Sequence, residues 1–319
     1  MPPVKQLSAG LPMESLNILY WMPNLFAFNH SDMSQTVHLS LIQHAFESSP
    51  EATVKKVVDH IRNAANDGAQ VICLQELFNT SYFCSTVNQK NFALAESIPG
   101  PTTNRLGKLA GELSVVLLVP VFEKEAAGLY YNSIAVIDAD GTLLGKYRKM
   151  HIPEDPGFHE KYYFTPGDLG YRVFDTAYCK IGTLICWDQW FPEAARLTAL
   201  KGADLIVYPT AIGTLHEERD AEKEQFKDAW KTIQRSHAIA NGCFVASVNR
   251  VGIEEAARFW GGSFVAGPFG EILSEGDEQE GIISSEIDLS LIEPQRQAWP
   301  FFRDRRVDSY DSITKRIDT

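Results

Sequence analysis

Cys186 closes an apolar run, Ile181-Gly182-Thr183-Leu184-Ile185, and is followed by Trp187-Asp188-Gln189-Trp190-Phe191-Pro192. That pattern reads as a strand ending in a turn, with a helix opening at about Pro192. A thiol held above a sheet and near helical N–H groups is placed to act as a nucleophile. Those groups and a nearby cation are expected to lower its pKa and to hold an oxyanion. Read alone, Cys186 is more simply a buried cysteine at a strand end. Glu76 ends a second apolar run, in Leu74-Gln75-Glu76-Leu77-Phe78. A carboxylate among so much apolar surface is costly unless it is paired or functional, and such a group suits a general base. Lys149 lies in Tyr147-Arg148-Lys149-Met150-His151-Ile152-Pro153, again past a β-like run. Its ammonium could steady the negative charge of a tetrahedral intermediate. Glu160, in Gly157-Phe158-His159-Glu160-Lys161, could position Lys149 or take protons. Each of these would otherwise be an ordinary surface charge.

A cysteine–histidine pair is the rival arrangement. The eight histidines are His30, His38, His44, His60, His151, His159, His216 and His237. None has a local signature tying it to a thiol. The spacing of His151 and His159 fits no standard metal-ligand pattern, so no metal is expected.

The elements that must carry these residues alternate between β-like runs and amphipathic helices. Alternation predicts a strand over 37–46. Pro50 opens a helix with Val54, Val57, Val58, Ile61 and Ala65 at helical spacing, and Gly68 stops it. Strands are predicted at 71–74, 115–122, 181–185, 205–208, 244–251, 262–265, 271–273 and 282–287. Helices are predicted at 106–113 and 192–200, and a longer one shows the face Phe226, Trp230, Ile233, His237. Asp138-Ala139-Asp140-Gly141 joins the β-like runs 132–138 and 143–147 as a hairpin, so the sheets cannot be purely parallel. Residues 153–167 read as a long loop near the working face. Strand–helix units plus hairpins point to two mixed sheets with helices outside.

The chain has 319 residues, 45% of them hydrophobic and 22% charged, with a formal charge of −12. This acidity argues against nucleic acid or an anionic membrane as partner. Five cysteines, Cys73, Cys84, Cys179, Cys186 and Cys243, include no CxxC pair, and an odd count points to reduced thiols in the cytoplasm. No run of 18 apolar residues occurs, so no membrane span is expected. Residues 1–35, with Pro2, Pro3, Pro12 and Pro23, read as an N-terminal arm, and residues 36–319 as a single domain.

Taken together, the separated motifs resemble a known family. QELF at 75–78, YRKMHIP at 147–153, HEKYYFTPGD at 159–168 and ICWDQWFPEAARLTALKGADLIVYPTAIG at 185–213 are similar to the nitrilase, or carbon–nitrogen hydrolase, superfamily. The resemblance covers about residues 36–310 and includes Asn132-Ser133-Ile134, Ser247-Val248-Asn249-Arg250 and Arg303-Asp304-Arg305-Arg306. It implies an α/β fold, a four-layer αββα sandwich with two mixed β-sheets, assembled as homo-oligomers (dimers or larger). It also implies that the family's catalytic set falls on Glu76, Lys149 and Cys186, with its second glutamate on Glu160. Lys149 and the backbone N–H of Trp187 would hold the oxyanion, and no cofactor would be needed.

Within the family, the stretches around Cys186 and 156–161 look most like N-carbamoylputrescine amidases. Relatives acting on carbamoyl amino acids carry arginine just after the nucleophile, where this chain has Gln189 and Trp190. Tyr82, Trp187, Trp190 and Trp260 would line a slot for an aliphatic chain ending in an ammonium. Asp188, with Asp155 and Glu193, would supply counter-charge. The expected substrate is a small carbamoyl amine or amide. The alternatives are a β-ureidopropionase-like or ω-amidase-like hydrolase, or a non-catalytic binding protein of the same fold. The chain departs from the putrescine branch at Glu154-Asp155, in the short segment 253–258 and in its long N-terminal arm.

Overall fold

The computed structural model describes residues 35–215, 220–255 and 257–318. Apart from Gln35, the arm predicted over 1–35 lies outside the described residues, as do His30 and His216. In chain order the elements begin β1 (Thr36–Gln43), α1 (Pro50–Asn66), β2 (Val71–Leu74), α2 (Pro101–Leu113), β3 (Val116–Ala126), β4 (Leu129–Ile137) and β5 (Leu143–Arg148). There follow α3 (Glu160–Tyr163), β6 (Arg172–Asp175), β7 (Lys180–Thr183), α4 (Pro192–Ala199), β8 (Leu205–Pro209), β9 (Gly213–Leu215) and α5 (Asp220–Asn241). The chain closes with β10 (Phe244–Val248), β11 (Val251–Glu254), β12 (Ala257–Trp260), β13 (Phe264–Ala266), β14 (Ile272–Glu275), β15 (Gly281–Asp288) and α6 (Ile292–Ala298).

Two six-stranded sheets form the body, in the orders β15-β1-β2-β3-β4-β5 and β14-β13-β10-β8-β7-β6. Both are mixed. β1, β2 and β3 run parallel, as do β7, β8 and β10, and the outer strands join antiparallel. The expected hairpin is β4–β5, turned at Gly141, whose φ of 87° favours glycine. A third, three-stranded sheet, β11-β12-β9, had no counterpart in the sequence reading.

Side-chain alternation explains the layering. In β2, Val71 and Cys73 join the core shared with β8, β10 and β13, while Ile72 and Leu74 join the core under α1 and α2. β3 does the same, with Val116 and Leu118 on one face and Leu117, Val119 and Val121 on the other. Helices α4 and α5 cover the outer face of the second sheet, giving the layers α, β, β, α. α1 forms where Ser49 caps it, its Oγ accepting from the Ala52 N–H at 3.2 Å, with Pro50 at the first turn and Val54, Val57, Ile61 and Ala64 as its buried stripe. Burying each large aliphatic of that stripe contributes about 1.5–3 kcal/mol.

Some boundaries differ from those predicted. α2 starts five residues earlier than 106, because Pro101 opens it and the Gly100 N–H and C=O both bond the Thr103 hydroxyl. The buried side of α5 is Trp230, Gln234, His237 and Ala238, while Phe226 is 42% exposed. Polar anchors set that rotation: Trp230 Nε1 donates to Gln189 Oε1 at 2.9 Å, and His237 Nε2 lies 2.8 Å from the Gln189 carbonyl. The run 244–251 breaks at Asn249, whose amide donates to the carbonyls of Ile212 and Gly261 and so ends β10.

Candidate active site

The parallel strands β2 and β7 and the hairpin strand β5 all end toward one place, and Glu76, Lys149 and Cys186 lie just past those ends. Behind Glu76, the Gln75 side chain exchanges hydrogen bonds with the His44 backbone, 2.9 Å in each direction. Past Glu76, Leu77 takes a left-handed conformation at φ 49°, a costly one for a branched side chain. Lys149 is fixed by its backbone: its N–H donates to the Asn132 carbonyl at 2.9 Å, and its own carbonyl accepts from Gly167 at 2.8 Å. A Cβ on Gly167 would sit 2.2 Å from the Arg148 carbonyl oxygen, so only glycine permits this close crossing. Cys186 begins a 3₁₀ turn, Cys186–Trp190, at φ 42°.

The three side chains converge, and Glu160 completes them. The Lys149 ammonium donates to Glu76 Oε1 at 2.8 Å and to Glu160 Oε2 at 2.6 Å. All three are buried, at 0–1% exposure. Asn132 Nδ2 donates to the same Glu76 oxygen at 2.7 Å. Glu76 Oε2 has no hydrogen-bond partner among the described residues. One carboxylate oxygen is therefore anchored and the other is uncommitted. Cys186 feels the charges of Glu76, Lys149 and Glu160, and its sulfur takes a backbone hydrogen bond from Ala211.

Electrostatics correct one expectation. The thiol of Cys186 is pushed up, not down: burial dominates, Glu76 adds to it, and the opposing pull of Lys149 does not overcome them. That direction favours the neutral thiol over the thiolate. Burial works against the Lys149 ammonium, but Glu160 and Glu76 outweigh it and hold its pKa well above the ordinary lysine value. Burial and Glu76 push Glu160 up to about 7, against the downward pull of Lys149 and Tyr82.

The residues expected to line a substrate slot separate into groups. Tyr82 is brought to the site, but its hydroxyl donates to Glu160 Oε1 at 2.9 Å and its ring lies against Phe158 and Phe259. Trp187 and Trp190 are half-buried on the Cys186 turn, with ring centres 6.5 Å apart. Trp260 is buried on β12, 6.2 Å from Trp230. Asp188 is engaged within the protein. Its carboxylate accepts from His151 N–H (3.0 Å), Ile185 N–H (2.9 Å) and the Tyr147 hydroxyl (2.7 Å), and meets His151 Nδ1 at 2.7 Å. Fully buried, it ties the Cys186 turn to the strand of Lys149, with both carboxylate oxygens bonded inside the protein. Asp155 and Glu193 are exposed. His151 pairs with Asp188 and His159 with Glu154, and among the described residues no group of three or more His, Cys, Asp or Glu could hold a metal ion. No helix among them is long and apolar enough to cross a membrane.

The sequence reading gave no separate role to Asn132, Arg250 or Glu254. Asn132 had a signal, a polar residue beside Ser133 in the largely apolar β4. Arg250 and Glu254 had none, because apart from each other their partners lie 170 to 174 residues away.

Two stacked mixed sheets between helices, with a buried glutamate–lysine–cysteine set at their strand ends, define an enzyme of the nitrilase superfamily. The carbon-nitrogen hydrolase family model matches residues 38–297, and the chain belongs to that family. It is 43% identical to an N-carbamoylputrescine amidase of Solanum lycopersicum over 290 residues, covering 88% of this chain and 95% of that one. It is 40% identical to a citrullinase of Francisella tularensis, covering 88% and 99%. A crystal structure of a carbon-nitrogen hydrolase from Helicobacter pylori G27 superposes with a TM-score of 0.87 at 44% identity, covering 89% of this chain and 100% of that one.

Proposed function

We propose that the enzyme hydrolyses N-carbamoylputrescine to putrescine, carbon dioxide and ammonia through a covalent intermediate on Cys186. Glu76 takes the thiol proton as the sulfur adds to the ureido carbonyl carbon. The oxyanion forms beside the Lys149 ammonium and the backbone N–H of Trp187. Glu76 returns the proton to the departing amine, and putrescine leaves a carbamoyl group on sulfur. Glu76 then removes a proton from water, which attacks the carbamoyl carbon. Carbamic acid departs with the thiol restored and breaks down to carbon dioxide and ammonia. Glu160 keeps Lys149 charged and in place. The observation that carries this reading is the buried ammonium bonded to both carboxylates, one of which keeps a free oxygen. We assign residues 36–319 to one hydrolase domain preceded by an arm, supported by the span of the family match.

The amine end of the substrate is supported by the relatives at 42–44% identity named N-carbamoylputrescine amidases. Gln189 supports it too: the residue standing where a carboxylate-gripping arginine would be is fully buried and bonded to Trp230. Citrulline, the substrate implied by the name of the Francisella relative, is N-carbamoylputrescine with a carboxylate added on its amine-bearing carbon. The test is ammonia release by the purified protein from N-carbamoylputrescine, citrulline and N-carbamoyl-β-alanine. The expected kcat/KM is highest for the first. A preference for either carboxylated compound overturns the assignment.

A further inference from the structure

The geometry points to Arg250, just before β11, and Glu254, at its end, as positioning residues that aim both catalytic carboxylates. This rests on the reading of Glu76 as base and Glu160 as partner of Lys149.

Arg250 is a completely buried cation, and most of its hydrogen bonds go to one turn. Nη2 donates to the carbonyls of Glu76 (3.3 Å), Leu77 (2.9 Å) and Thr80 (3.0 Å), and Nη1 to Thr80 (3.1 Å). That turn carries Glu76 and contains the left-handed Leu77. A strained backbone persists only where its surroundings hold it, and a planar, many-donor guanidinium does so here. Nη1 also pairs with Glu254 Oε1 at 2.6 Å. The other Glu254 oxygen accepts from the Tyr82 N–H at 2.6 Å, and the Tyr82 hydroxyl reaches Glu160 at 2.9 Å. Phe259, on the partner strand β12, packs against the Tyr82 ring and under the Arg250 guanidinium. One ion pair on the small third sheet therefore reaches Glu76 through its backbone and Glu160 through Tyr82. None of these contacts touches the reacting atoms, so the effect on rate comes through placement alone.

Glu254→Gln is the informative variant, because an amide offers a single acceptor oxygen where Arg250 and the Tyr82 N–H need two. Arg250→Lys keeps the charge but loses the fork. In the full-length enzyme three readouts are taken: melting temperature, steady-state kinetics of ammonia release from N-carbamoylputrescine, and the rate at which iodoacetamide alkylates Cys186, read peptide by peptide. For Glu254→Gln, still folded at 25 °C, kcat per folded molecule is expected to fall about 10- to 10²-fold, the scale of an ångström misplacement. KM is expected to stay within about threefold, the pattern of a lost transition-state interaction. Alkylation of Cys186 is expected to slow in parallel, and Arg250→Lys to lose at least as much. A Glu254→Gln enzyme with a lowered melting temperature but wild-type kcat and alkylation rate per folded molecule overturns the inference, leaving the pair a framework role. Glu76→Gln, run alongside, separates the two levels: wild-type alkylation in that variant sinks the reading of Glu76 as base, whatever the Glu254 result.

Discussion

Replacing Asp188 by asparagine separates two roles for this residue, a ligand for the substrate ammonium and a tie inside the protein. The carboxylate faces two pairs of groups, His151 N–H and Nδ1 on Oδ1, and Ile185 N–H and Tyr147 hydroxyl on Oδ2. An asparagine placing its oxygen toward Ile185 and Tyr147 turns its NH₂ toward His151. The histidine ring can change tautomer and accept, but the His151 backbone N–H cannot. One buried donor–donor conflict is then unavoidable. A buried group left unsatisfied costs about 1–3 kcal/mol, and the bonds that remain lose the contribution of the charge, which made each worth about 1.5–3 kcal/mol against about 1 for a neutral bond. The expected destabilisation is about 3 kcal/mol, which at about 2 °C per kcal/mol for a chain of this size lowers the melting temperature by about 6 °C. The same change loosens the Cys186 turn from the strand bearing Lys149. A displacement near an ångström between nucleophile and ammonium lowers kcat about 10²-fold. Calorimetry and steady-state kinetics at 25 °C measure both. If Asp188→Asn instead keeps its melting temperature and kcat and raises KM alone, the carboxylate serves the substrate and the structural reasoning is refuted.

Two further outcomes follow from the buried charges. Tyr82→Phe removes a hydroxyl that favours the ionised form of Glu160, which with that bond in place stands at about 7, near Lys149, Glu76, Cys84 and Cys186. Because that hydrogen bond lowers the carboxyl's pKa, its loss moves the acid limb of the kcat–pH profile to higher pH; an unmoved limb refutes the assignment. Glu123 is held at about 2 against an ordinary 4.5: burial raises it, but hydrogen bonds from Arg148, Lys146 and Ser133 outweigh burial. With the folded value depressed, its contribution, on the order of 2–3 kcal/mol, is complete above about 4.5 and is lost as pH falls toward about 2. The melting-temperature gap between wild type and Glu123→Gln should therefore close over that window, and a pH-independent gap refutes it.

The parts of this enzyme legible in its sequence are those whose cause is local. Apolar runs of four to eight residues named β2, β3, β7 and β8, and with β2 and β7 the strand ends that carry Glu76 and Cys186; Asp-Gly named the β4–β5 turn. The strands that escaped, β6, β9 and the β11–β12 hairpin, have three or four residues each, too few for a period to declare itself. What positions the site was hidden for a different reason. Asp188 reads as one more acidic residue beside aromatics until Tyr147 and His151, 41 and 37 positions away, are folded onto it. Arg250 reads as a solvated charge until the turn at 76–80 closes around its fork. The direction of the Cys186 shift was likewise inaccessible, because it is set by how completely the sulfur is buried, and burial belongs to the assembled sheets, not to the turn that presents it. This reversal bears on mechanism. A thiol already ionised would need only an oxyanion hole, whereas a neutral one needs a base with an uncommitted oxygen beside it. In the proposed mechanism Glu76, anchored through Oε1 by Lys149 and Asn132 and uncommitted at Oε2, has that form, and the groups that fix Glu76 are then expected to matter to the rate as the charge on Lys149 does.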